Sequence, residues 1–230
     1  MALPLQFLSA TMRKTLRFAL LTLALATPLR AQTWSVGAGT GPFIFGDFYH
    51  RTGRFTTGSG SADAHITLSA ATRAGATFDI EHDLSPRFAV RAQGTFTHAP
   101  LNVKTGGGDG ISLSSAKLDA TTFSLPLIFR INRNGAFRFH LAAGPAYAIY
   151  DIKAAAGGSD ALTGSRGRWG VMGGGGVTWW VGRRFGVAGE LADIVTSSPF
   201  RRSEFPSTTR NLELPKPHNV HTTVGVRYRF

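Results

Sequence analysis

Period-two alternation runs through this chain from Thr33 to Phe230 and limits what it can fold into. In residues 64–81, Ile66, Leu68, Ala70, Thr72, Ala74, Ala76, Phe78 and Ile80 alternate with Thr67, Ser69, Ala71, Arg73, Gly75, Thr77, Asp79 and Glu81. Successive side chains on a strand point to opposite faces, so this run sets an apolar face against a polar one. The last ten residues repeat the pattern. Thr222, Val224, Val226, Tyr228 and Phe230 share one face, and His221, Thr223, Gly225, Arg227 and Arg229 share the other. One face suits hydrocarbon and the other suits water.

Six further segments alternate in the same way. They lie near residues 33–45, 87–99, 117–131, 136–150, 168–181 and 184–194, and carry outward sets such as Phe123, Leu125, Leu127, Phe129 and Ile131. Most are longer than an ordinary soluble strand and match the roughly 9–11 residues with which a tilted strand crosses a bilayer. The links between them alternate in length. Long links at about 46–63, 100–116, 151–167 and 195–217 alternate with short turns at His82–Pro86, Asn132–Gly135 and Gly182-Arg183. A meander with short turns at one end and long loops at the other is the construction of a transmembrane barrel. The expected fold is therefore all-β, an eight-stranded antiparallel up-and-down transmembrane barrel.

The segment before Thr33 is of a different kind. Arg13, Lys14 and Arg17 precede the apolar run Phe18–Ala26, and Pro28 and Ala31 follow. A basic lead, a short apolar core and small residues at the end read as a signal peptide over 1–31, with Met12 a candidate start and the barrel domain over 32–230. The apolar core is too short for a membrane-spanning helix, which takes about 20 apolar residues. The chain is thus expected to be exported.

Composition agrees with that class. Charged residues are 17% of the chain, with 28 glycines and 17 phenylalanines, which argues against disorder and helical bundles. There is no cysteine, which excludes disulfide scaffolds and thiolate chemistry. The formal charge is +12, of which the first 31 residues supply four positive charges and no acid. The basic residues are scattered and form no run, so no nucleic-acid partner is expected.

Aromatic residues give a second pattern. The apolar-face residue nearest the short-turn end of each strand is Trp34, Phe78, Phe88, Phe129, Phe137, Trp179, Phe185, and Tyr228 or Phe230. Aromatics gather at membrane–water boundaries, so these positions predict a girdle there, with Phe96, Phe123, Tyr147 and Trp169 in a partial upper ring. The opposite face is rich in Gly, Thr, Ser and Ala, as a narrow lumen filled by side chains requires. Its charged residues are Arg73, Asp79, Glu81, Arg91, Arg130, Arg138, His140, Glu190, Arg227 and Arg229. Buried arginines must be paired or reach water, and the acids on this face are fewer than the arginines. The expected role of the cluster is a structural plug, with an anion-binding lumen as the alternative.

Motifs with catalytic or metal chemistry are weak. Gly173–Gly176 lacks the Gly-Lys-Ser/Thr ending of a phosphate loop and lies inside a strand, where close packing or curvature explains it better. Gly106–Gly110 reads as a flexible loop. The seven histidines show no metal-ligand spacing, so neither a metal nor a cofactor is expected. His140 with Glu190 is the one lead toward acid–base chemistry, and the Ser-and-His arrangement of lipid A deacylases is absent, so no enzyme is expected. Arg201, Arg202, Lys153, Lys104 and Arg166 tint the long loops basic. Solvated loop charge is the simpler reading, and contact with anionic lipopolysaccharide headgroups is the functional one.

With the signal peptide, Leu125-Pro-Leu-Ile-Phe129, Gly144-Pro-Ala-Tyr147 and the terminal Phe230, the chain resembles the small eight-stranded outer-membrane barrels of the OmpA/OmpX-like "outer membrane protein beta-barrel domain" group. The resemblance covers essentially all of 32–230, through patterns and no catalytic motif. It implies insertion by the barrel assembly machinery, which reads a C-terminal strand ending in Phe, here Val224, Val226, Tyr228 and Phe230. It also implies residence in the outer membrane of a Gram-negative bacterium among lipid and lipopolysaccharide. No peptidoglycan-binding domain is expected beside the barrel, which leaves a cell-wall tether without support. The expected function is structural, or mediates interactions through four long extracellular loops with an unknown partner. The alternatives are an outer-membrane lipid-modifying enzyme and a soluble lipid-binding barrel.

Overall fold

The computed structural model describes residues 33–57, 60–105, 111–132, 134–153, 163–205 and 211–230, with side chains described outside 53–64 and 103–115. Residues 1–32, with the expected signal peptide, and Gly106–Gly110 lie outside the described residues. Twelve strands occur among the described residues: β1 (Trp34–Phe45), β2 (Tyr49–Thr57), β3 (Gly60–Ala70), β4 (Arg73–Asp83), β5 (Phe88–Thr105), β6 (Ile111–Ser124), β7 (Leu127–Arg130), β8 (Phe137–Lys153), β9 (Gly164–Val181), β10 (Phe185–Thr196), β11 (Leu212–Glu213) and β12 (His218–Arg229).

The barrel closes by antiparallel pairing of β1 with β4, β4 with β5, β5 with β6 and β7, those two with β8, then β8 with β9, β9 with β10, β10 with β12 and β12 with β1. β6 and β7 make one stave, interrupted at Leu125 and Pro126, so the wall has eight staves among the described residues. Proline has no N–H for the ladder. The interruption is bridged because the Pro126 carbonyl accepts from Arg91 N at 3.1 Å and Leu125 N donates to the Pro145 carbonyl at 3.0 Å.

The alternation sorts the faces as the sequence predicts. Trp34, Val36, Phe88, Phe137, Phe139, Leu141, Val171, Val187, Val224 and Val226 are exposed on the outside, and Trp169 is 74% exposed. A belt of large exposed apolar side chains around a whole molecule is far beyond what water tolerates and is what lipid covers. Short turns hold one end. Ser85 Oγ accepts from Phe88 N at 3.0 Å. Asn132 Oδ1 accepts from Phe139 N at 2.8 Å while its Nδ2 donates to the Phe137 carbonyl. Gly182 takes a φ of 81°, which a side chain would strain.

Two expectations need correction. The stretch 64–81 is not one strand: β3 ends at Ala70 and β4 begins at Arg73. The break exchanges faces, so Leu68 and Ala70 are buried inside while Phe78 and Ile80 lie outside, although all four have even numbers. The link at 46–63 is not a loose Gly/Ser segment either. It forms the β2–β3 hairpin, whose β3 pairs with the far end of β5 and whose β2 pairs with β11. The barrel wall therefore continues as sheet beyond the belt at the long-loop end.

The interior has two zones. Toward the long loops an apolar core packs Phe43, Phe45, Phe48, Leu68, Leu101, Leu118, Tyr150, Ile152 and Phe200. Tyr150 OH lies 3.0 Å from Thr196 Oγ1 and accepts from Asn219 Nδ2 at 2.8 Å, so its buried hydroxyl is satisfied. Phe200 is held by the segment after β10, where Ser198 Oγ donates to the Phe48 carbonyl at 2.6 Å and Arg168 Nε donates to the Ser198 carbonyl at 2.7 Å. Toward the short turns the interior is charged.

Candidate functional site

Each stave carries its polar-face residues to the same interior, because strand side chains on one face repeat every second position. β4 supplies Asp79, Glu81 and Asp83, β5 supplies Arg91, β7 supplies Arg130, β8 supplies Arg138 and His140, β10 supplies Glu190, and β12 supplies Arg227 and Arg229. Glu81 is the hub. It accepts from Arg91 Nη2 at 2.8 Å and Arg91 Nε at 3.0 Å, from Arg227 Nη1 at 2.6 Å and from Arg130 Nη2 at 2.5 Å. Arg227 Nη2 also donates to Asp79 at 2.7 Å, Arg91 to Glu190, and Arg130 to Asp83. Arg91 is 2% exposed, so its charge is carried wholly by these partners.

His140 Nε2 lies 3.3 Å from Glu190 and 3.5 Å from Arg91 Nη2. The imidazole and the carboxylate meet, as the acid–base lead requires, but Glu190 is already committed to Arg91 and both groups are buried. No described Ser or Thr hydroxyl is hydrogen-bonded to this imidazole. The two cavities within the network measure about 20 and 30 Å³, room for isolated waters and no column of solvent.

Arg138 and Arg229 stand apart. Neither has a carboxylate partner among the described residues. Their guanidinium carbons lie 5.8 and 3.9 Å from the ring centroid of Trp180, a cation–π arrangement. Arg73 was grouped with the cluster by parity, and here the structure differs. It is exposed at the far end of β4, opposite Phe43, and donates to the Thr72 carbonyl at 3.4 Å. It follows the β3–β4 break, as the first residue of β4.

The aromatic girdle is built from contacts between neighbouring staves. Phe88 meets Phe129 at 5.4 Å, Phe137 stacks on Trp179 at 5.9 Å, Phe185 meets Tyr228 at 5.0 Å and Tyr228 meets Phe230 at 5.3 Å. Trp34 stacks on His82 at 4.3 Å. Phe78 belongs instead with the upper ring, 6.5 Å from Phe96, which in turn meets Phe123. Of the terminal residues, Val224, Val226 and Phe230 are each more than 60% exposed on the outer face, and Phe230 N donates to the Trp34 carbonyl at 2.9 Å. Several basic loop residues are occupied locally. Lys153 Nζ donates to Asp119 at 2.5 Å, Arg166 pairs with Glu204 at 3.3 Å, and Arg202 Nη1 donates to the Leu212 carbonyl at 2.9 Å, while Arg201 is exposed. The side chain of Lys104 lies outside the described residues.

Sequence reasoning missed Asp83 as a member of the lumen cluster and missed the apolar core above it, whereas parity along the strand near 168–181 already turns Trp180 inward. Asp83 continues the parity of Asp79 and Glu81, so one more step along β4 would have found it. Phe43 and Phe45 also lie on the polar parity of β1, a signal that the lumen changes character along its axis.

A closed antiparallel barrel of eight staves, apolar outside and ion-paired inside, defines a small outer-membrane-type β-barrel. Comparison with known proteins points the same way. No protein-family model matches the chain, and no curated protein does. Among solved structures it is similar to the outer membrane protein OprG from Pseudomonas aeruginosa, with a TM-score of 0.60 and 14% identity over 87% of this chain and 96% of that one. It is also similar to Neisserial surface protein A (NspA), at a TM-score of 0.53 and 11% identity over 86% and 97% of the two chains. A third is AlkL in lipid bilayers, at 0.50 and 13% over 89% and 93%. The fold is that of the small eight-stranded outer-membrane barrels.

Proposed function

We propose that this chain is an outer-membrane protein of a Gram-negative bacterium whose barrel is a sealed scaffold and whose long-loop end carries a structural or interaction role. The observation that supports this reading best is the filled lumen. An ion-pair network centred on Glu81 occupies the short-turn half, and an aromatic core from Phe43 to Phe200 occupies the other. A barrel of eight staves has an interior that side chains fill, so it is not built as a pore. The working surface is then the sheet that extends beyond the belt, where β2, β3, β11 and the far end of β5 pair.

In this reading the 1–31 segment exports the chain, and Val224, Val226, Tyr228 and Phe230 present it to the barrel assembly machinery. The short turns face the periplasm and the long loops face outward among lipopolysaccharide, with exposed Arg201 the basic residue best placed to meet anionic headgroups. His140 and Glu190 serve the plug, since the partner each needs for chemistry is taken by Arg91.

Two measurements test this. The protein should fractionate with outer membranes and show heat-modifiable gel mobility, and recovery as a soluble protein without detergent would reject it. In planar bilayers it should show no stable single-channel conductance, and reproducible open-channel steps would reject the sealed lumen.

A further inference from the structure

Three of the arginines in the lumen exhaust its carboxylates. Asp79, Glu81, Asp83 and Glu190 are all engaged by Arg91, Arg130 and Arg227. Arg138 and Arg229 have no carboxylate within ion-pair distance among the described residues and lie against Trp180, at the short-turn ends of β8, β12 and β9. A guanidinium stacked face-on over an indole is held through its π face and keeps its in-plane N–H groups available. The guanidinium carbon of Arg229 lies over the Trp180 ring, 3.9 Å from its centroid.

Three unpaired buried atoms at this place are N–H donors, and the network's unpaired acceptor, Glu190 Oε1, belongs to a residue outside the cavity they line. Arg138 Nε, Arg227 Nε and Trp180 Nε1 each lack a hydrogen-bond partner, and Trp180 is only 9% exposed. All three residues line one cavity of about 20 Å³ with Arg91, Arg130, Arg229 and Glu81, whose carboxylate is already held by Arg91, Arg130 and Arg227. Each orphaned atom of that cavity is an N–H donor and none is an acceptor. Buried donors without acceptors are costly, and a site made of donors and uncompensated positive charge selects an anion.

We propose that Arg138, Trp180 and Arg229 form an anion site at the short-turn mouth of the barrel that takes a phosphate-class oxyanion. The donors come from three different staves, which suits a tetrahedral group with oxygens in several directions better than a planar carboxylate. The cavity accepts one oxygen, and the rest of the group sits in the mouth between Arg138 and Arg229, both partly exposed. A free phosphate and the headgroup of an anionic phospholipid share this chemistry.

The test uses the full chain, exported, purified from outer membranes and held in phosphatidylcholine nanodiscs at low salt. Titration calorimetry with inorganic phosphate should give a saturable isotherm in the millimolar range or tighter. R138Q/R229Q should weaken binding about tenfold or more, since two charge-assisted donors are lost. W180F keeps an aromatic ring for Arg229, removes one N–H and should weaken binding about threefold or more. R183Q, an equal charge change at an exposed turn residue outside the cavity, should leave affinity within about twofold. Heat-modifiable mobility reports the folding of each variant, and W180F with R229Q carries the test if the double variant does not fold. Repeating the titration in phosphatidylglycerol nanodiscs separates the sources. Weaker apparent phosphate binding there assigns the site to a lipid headgroup, and unchanged binding assigns it to free phosphate. Absence of saturable binding, or equal affinity in R138Q/R229Q, W180F and the unmodified chain, overturns the proposal.

Discussion

Glu81 holds three arginines with one carboxylate, and the consequence is asymmetric. Removing it leaves Arg91, Arg130 and Arg227 in a nearly dry interior with too few acids, and breaking a buried ion pair from one side costs about 3–5 kcal/mol. Glu81→Gln is therefore expected to lower unfolding free energy by about that amount, as measured by urea unfolding in lipid vesicles. A loss within about 0.5 kcal/mol would mean that water already screens the network. Gly176 is a second sensitive residue. A Cβ there would meet the Gly189 carbonyl oxygen at 2.4 Å and His140 Cε1 at 2.9 Å. Gly176→Val should cost about 1–3 kcal/mol of overpacking in the same assay. Within the glycine run, Gly174 and Gly176 are thus packing positions, and only the facing staves show why: β9 must leave room there for the imidazole on β8 and the backbone of β10.

At the scale of elements, β12 closes the barrel on β1 and ends the chain on its exposed face. Deletion of Phe230 is expected to cut the yield of barrel in the outer membrane severalfold while changing the unfolding midpoint of the inserted fraction little. Normal yield would remove the assembly role of the Val224–Phe230 face. Most of this element was legible in the sequence, because one-residue slips would turn every side chain to the wrong face and alternation therefore specifies register. The same rule failed at residues 64–81. Apolar residues stay on even positions through Ala71 and Thr72, so nothing local marks the break. The break is imposed from a distance: Ala71 N donates to the Pro100 carbonyl at 2.9 Å, and β3 takes its place on β5 beyond that point. The β2–β3 hairpin was likewise invisible, since Gly and Ser in 53–61 read as loop until a pairing partner is known.

For the whole molecule, the decisive quantity is what surrounds the wall. Leu141 lies on the outside of β8 between Phe137 of the girdle and Tyr147 of the upper ring, and is 54% exposed. In a bilayer an arginine near the midplane of a barrel costs about 2–4 kcal/mol, whereas on a water-facing wall it costs little. Leu141→Arg should therefore destabilise the barrel by about that amount in vesicles, and a neutral result would favour the soluble barrel instead.

The chain by itself determined the class: alternation, paired long and short links and a terminal aromatic strand depend on local geometry, since each residue's face follows from its number in the strand. It also named most of the lumen charges, because parity alone points them inward. The tertiary structure decided which charges meet. Asp83 joins Arg130, Arg73 departs, and Arg138 and Arg229 turn to Trp180, through register between staves far apart in sequence, as for Arg227 and Asp79, which are 148 residues apart. It decided the sealing as well. Phe43, Leu118 and Phe200 come from β1, β6 and the segment after β10, and no local pattern brings them together. Face is a property of one strand and can be read along it, whereas partnership is a property of closure and exists only once the eight staves have met.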